Sequence, residues 1–214
     1  MAAAGFETGL EWPLPSPELC EPGFKIEPSM EAAAWIKQTF VLEGGRHYNP
    51  EHAHLVKADI VVLFVNREEE DGGMPVVGRA EIIKVAGKPW KQAERLDHLC
   101  MLHGNLPQAR IWLYGPAWAA GDYWQACSTA EHELYHFAQL VKEGEPQFDD
   151  LERPKLVSRA HDIGEFVGVA RRYGINRCGG RAIDFVQAAL QPPTIAPATF
   201  VPTPGVCACG VRLS

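Results

Sequence analysis

Proline, more than any other residue, limits what this chain can fold into. It fixes its own φ and donates no backbone hydrogen bond, so helix interiors and central strands exclude it. Of 17 prolines, five fall in the first 28 residues and five in the last 23, leaving seven across the 163 between. The spacing predicts one domain over residues 29–191. A proline-rich arm (1–28) and a proline-rich tail (192–214) flank it, either disordered or lying on its surface.

Inside the domain, strand patterns come first and helical ones later, which predicts an α+β fold with a small antiparallel sheet. Ser29 is placed to cap a helix running to Glu43 and closed by Gly44–Gly45. Asp59–Val65 and Val76–Val85 predict an antiparallel hairpin, its loop carrying a solvated Glu68–Asp71 tip. Ala109–Tyr114 is a third expected strand. Asp122 opens a helix expected to reach Lys142; further helices are expected over Val157–Tyr173 and Arg181–Gln191.

Charge narrows the partners. With 20 basic and 27 acidic side chains and a net charge of −7, the chain is not built to neutralise nucleic-acid phosphates. Arg153 to Arg181 is the exception, a basic stretch broken only by Asp162 and Glu165. It is either a solvated face or a patch that steers an acidic partner. The longest apolar run, Ile60–Val65, is far too short for a membrane span. The N-terminus has neither a basic nor an apolar signal region, and the scattered cysteines read as reduced thiols in a cytoplasm. Cys207-Ala208-Cys209, with Cys178 upstream, does not match the spacing of a zinc knuckle.

The chemistry concentrates in Glu131-His132-Glu133-Leu134-Tyr135-His136-Phe137, an H-E-x-x-H pattern. Histidines four apart on a helix present both imidazoles to one Zn²⁺, with the intervening glutamate beside the metal as general base. Cys127, Ala130, Leu134, Phe137 and Val141 form an apolar stripe. The two histidines lie about 160° around the helix from it. A catalytic zinc needs a third protein ligand. His161, Asp162 and Glu165 are the downstream candidates; His161 fits a second amphipathic helix, and Glu165 is its main competitor. Tyr135 and Tyr173 are candidate oxyanion donors, although a packed aromatic is the simpler reading of either.

From Asn49 to Gly174 the chain resembles the putative phage metallopeptidases, relatives of the SprT-like and Spartan-type zinc proteases. The shared residues are His52-Ala53-His54-Leu55, Gly78-Arg79-Ala80, His132-Glu133-Leu134-Tyr135-His136, His161-Asp162-x-x-Glu165-Phe166 and Arg171-Arg172-Tyr173-Gly174. The resemblance implies a zincin-type active-site helix and Zn²⁺ held by His132, His136 and His161, with Glu133 catalytic. It implies a protein or peptide substrate, a phage origin and action in the host cytoplasm. A rival function is a phage binding or counter-defence protein that keeps zinc as a clamp and has no use for Glu133.

Overall fold

A computed structural model of the chain describes residues 11–71, 74–84, 88–103, 106–161, 182–197 and 206–207. Its first elements are strand β1 (Ile26–Pro28), helix α1 (Met30–Ile36), β2 (Ile60–Val65), β3 (Glu70–Asp71) and β4 (Met74–Ile82). Helix α2 (Pro89–His103), β5 (Ala109–Tyr114), α3 (Gly115–Ala120) and α4 (Tyr123–Tyr135) follow. Then come β6 (Phe137–Gln139), β7 (Val141–Lys142), β8 (Glu145–Pro146), β9 (Leu156–Ser158), helix α5 (Ala182–Ala189) and β10 (Val206–Cys207). The fold is mixed α and β, with a small sheet and several helices.

The expected hairpin between β2 and β4 does not form. The strands run in the order β1-β2-β5-β4-β10, so β5 lies between them. It is parallel to β2 from Ile60↔Ala109 to Val65↔Tyr114, and antiparallel to β4 from Gly78↔Leu113 to Ile82↔Ala109. The reason is visible in β2, where Val62, Leu63 and Phe64 are buried consecutively. A strand covered on both faces belongs at the sheet's centre, with a partner on each side. Its other neighbour is β1, so the N-terminal segment lies against the sheet. Leu19 is buried, and Trp118 Nε1 donates to the Pro13 carbonyl at 2.7 Å.

Helix α1 begins as its cap signal predicts, with Ser29 Oγ accepting from the Ala32 amide at 3.1 Å. A wider π turn over Lys37–Val41 carries the chain on to Gly44, whose φ of +85° favours glycine. Helices α1 and α4 bury Ala32, Ile36, Ala126, Cys127, Ala130 and Leu134 against Val62, Phe64, Ile111 and Leu113 of the sheet. Helix α2 was not anticipated: only Leu99 of its described side chains is buried, and Trp90 is exposed, so it carries no full apolar stripe. Among the described residues no helix is long and apolar enough to cross a membrane.

Two helical expectations change. The helix opened by Asp122 ends at Tyr135 rather than Lys142, with His136 as its C-cap. The apolar stripe holds through Phe137, which fills the core, but Val141 is exposed in β7. The second expected helix begins instead as β9, whose Val157 pairs with Ala138 of β6. Positions 162–173 of that helix lie outside the described residues.

Helix α4 is anchored by a capping box: Asp122 Oδ1 accepts from the Gln125 amide, and Gln125 Oε1 accepts from the Asp122 amide, each at 2.9 Å. Replacing Asp122 with Ala should therefore lower stability by about 1 kcal/mol, read as a shift in urea midpoint at unchanged slope.

Candidate metal centre

His132 and His136 lie one turn apart at the end of α4, and His161 arrives from the segment after β9. Their rings converge. His132 Nε2 is 3.1 Å from His161 Nε2 and 3.3 Å from His136 Nε2, and one ligand atom from each histidine lies within 4.8 Å of the others. His136 is buried, while His132 and His161 reach the surface.

Arg159 makes this convergence possible through its backbone. Its amide donates to the His136 carbonyl at 2.9 Å. In return His136 Nδ1 faces the Arg159 carbonyl at 2.7 Å. With its proton on Nδ1, His136 donates there and leaves the Nε2 lone pair pointing at its neighbours. That is how a backbone carbonyl orients a metal-ligating imidazole. The clamp fixes the chain two residues before His161.

The donor set suits a cation. Zinc–nitrogen bonds of about 2.0–2.1 Å in tetrahedral geometry put ligand nitrogens roughly 3.3–3.4 Å apart. Two of the observed separations come close to that. Desolvation, with the His136 and His161 imidazoles alongside, holds His132 at a pKa of about 4 even though its outer edge is exposed. Burial likewise pulls His136 down, opposed by its bond to Arg159. Neutral imidazoles are the form in which histidine binds metal.

Glu133 is packed into the fold, with only 1% of it exposed. Its carboxylate lies against β4 and is bonded to the Ala80 amide. Gly78 makes the approach possible: a Cβ there would come within 2.5 Å of Glu133 Oε1. Burial pushes the Glu133 pKa up to about 8, with the Ala80 bond pulling the other way. A glycine inside a strand signals such a close approach. Gly78 offered that clue in the sequence, although nothing there named Glu133 as the group approaching.

Around the helix end a polar network escaped the sequence reading. Asn49 Nδ2 donates to Glu131 Oε1 at 2.8 Å and to the Tyr135 hydroxyl at 2.9 Å. The buried His52 ring packs edge-on against Tyr135, with centroids 4.5 Å apart, and His54 Nε2 meets the Phe137 carbonyl at 2.7 Å. A cavity of about 170 Å³, lined by the three histidines, Tyr135, Arg159 and Ala160, opens beside the cluster. Asp162, Glu165, Tyr173, Cys178 and Cys209 lie outside the described residues. Cys127 is a buried free thiol and Cys100 an exposed one.

An α+β scaffold that gathers three imidazoles at a helix end, beside a buried glutamate, is a framework for metal chemistry. The chain belongs to the family described as putative phage metallopeptidase, which it matches over residues 33–190. Membership implies a metal-dependent hydrolase acting on a protein or peptide. No curated protein and no solved structure matches the chain.

The Glu133 environment makes a pH prediction for the metal-free chain. Its folded pKa of about 8 lies above the ordinary 4.5. Between those values the folded state keeps a proton that the unfolded state has released, so stability falls as pH rises through the window. Glu133→Gln should flatten that slope and, at pH 8, raise the melting temperature by about 5 °C or more. Calorimetry of both chelated proteins from pH 5 to 8 measures it. Parallel slopes would show that the carboxyl is not buried neutral.

Proposed function

We propose that this protein is a zinc-dependent metallopeptidase related to the SprT-like and Spartan-type proteases. His132, His136 and His161 would hold Zn²⁺, and Glu133 would be the general base. The observation that carries this reading is the convergence of three Nε2 atoms at the end of the helix that buries Glu133. The substrate is a protein or peptide, a host protein in this reading, met in the host-cell cytoplasm.

When bound, zinc supplies Lewis acidity, lowering the pKa of a water towards neutrality and polarising the scissile carbonyl. The chain's own residues do the rest. The His136 ring is held by the Arg159 carbonyl, so its lone pair needs no reorientation. Glu133 takes a proton from the attacking water on a carboxylate oxygen and returns it to the leaving amine. The Ala80 amide steadies that carboxylate while it holds or releases the proton. The cavity beside the histidines gives the scissile segment room to approach.

Elemental analysis and hydrolysis test the reading together. Purified protein should carry about one zinc per chain. His132→Ala and His136→Ala should abolish it. His161→Ala should do the same while Glu165→Ala keeps the metal; the reverse result would make the site His₂Glu. Glu133→Gln should keep the zinc and lose hydrolysis of an unfolded casein-like protein by about 10²–10⁴-fold. A binding protein clamped by zinc predicts instead that Glu133→Gln is silent in protecting a phage during infection.

A further inference from the structure

The strand that shelters Glu133 has two edges, and they are used differently. The Ile83 amide donates to the Gln108 carbonyl at 2.9 Å, just before β5. Main-chain groups alternate in direction along a strand. The odd-numbered residues of β4 therefore face β5, and Val76, Gly78 and Ala80 face the opposite edge. There the Val76 amide donates to the Glu69 carbonyl at 2.8 Å, and the Ala80 amide is bonded to the Glu133 carboxylate. Gly78 lies between them. Its neighbour across that edge is Cys207 of β10, which runs parallel to β4 with Val206 beside Val76.

We propose that the chain's own tail is a self-inhibitory strand: Val206–Cys207 occupies the outer edge of β4 from Val76 to Ala80 and must be displaced before an extended peptide can pair there. A sheet edge is a template for pairing with another extended segment. This one ends at Glu133, so a peptide lying along it is delivered to the carboxylate. The tail is a displaceable occupant for two reasons. Its pairing spans two residues and slips in register between them. It is also parallel, the less stable arrangement per residue. What holds it there is its covalent tether, which keeps its local concentration on the order of millimolar. The consequence for hydrolysis rests on the peptidase reading; the competition for the edge does not.

The test uses full-length, zinc-free protein and a fluorescent peptide copying residues 202–209, with serine in place of both cysteines. In the double variant Val206→Pro, Cys207→Pro, whichever of the two amides faces β4 is lost. The variant should bind the peptide at least about ten-fold more tightly than wild type, whose tethered tail competes. Equal binding, or no binding by the folded variant, overturns the proposal. A second measurement stands even if the variant fails to fold: in wild type the Gly78 amide should exchange slowly with deuterium. Exchange there at the rate of an unpaired edge also overturns it. If the peptide binds the variant tightly and the zinc-loaded variant cleaves nothing, the edge competition stands and the peptidase reading falls.

Discussion

The contact between Glu133 and strand β4 is the constraint from which the site is built. A carboxyl group with 1% exposure is costly unless something compensates it. Here the Ala80 amide provides a hydrogen bond, and the missing side chain of Gly78 provides the space. Because Glu133 must face the sheet, α4 is fixed in rotation about its own axis. His132 and His136, one residue before and three after, are then turned to the side of the helix next to Glu133, away from the apolar stripe, where His161 meets them. Ala126, Ala130 and Leu134 add apolar burial on the sheet side, so packing and the polar contact demand the same orientation.

The second constraint is the termination of α4. A helix continuing past His136 would satisfy that residue's carbonyl internally. It would then have nothing to offer the Arg159 amide. By stopping at Tyr135, the chain frees the carbonyl for the 2.9 Å bond from Arg159, and Phe137–Gln139 becomes a strand that pairs with Leu156–Ser158. The β6–β9 ladder and the Arg159 clamp together carry His161 to the helix end. His54 adds a further tie through the Phe137 carbonyl. A loop-borne histidine thus gains the positional definition usually associated with secondary structure.

This explains which parts of the molecule could be read from sequence. The helix of His132 and Glu133 was legible because its cap and its apolar stripe are local signals, both encoded between Asp122 and Phe137. Its end was not, since Val141 continues the helical period by coincidence and only pairing with β9 decides otherwise. The order of the strands was hidden for a similar reason: adjacency in sequence suggested β2 beside β4. Insertion of β5 depends on the burial of β2 across both faces, which only the assembled sheet expresses. His161 was singled out by an expected helical periodicity, yet the structure brings it to the pair through a strand and a backbone clamp. Gly78 carried a real signal, a glycine within a strand, without a partner to explain it.

Desolvation acts on His132, His136 and Glu133 in opposite senses and favours the uncharged form of each. It lowers the His132 and His136 pKa values and raises that of Glu133 to about 8. For the histidines the result is ready lone pairs, since protonated imidazoles could not serve as ligands. For Glu133 the result is a group that holds its proton too firmly to begin as a base. A nearby divalent cation changes only the second condition. Its charge favours the carboxylate over the carboxylic acid and so draws the pKa down from about 8. A base is most useful when its pKa lies near the working pH. In the proposed reading, the buried position of Glu133 therefore couples its availability as a base to occupancy of the histidine cluster: without a metal there, the carboxyl is mostly protonated near neutral pH and has no free site for another proton.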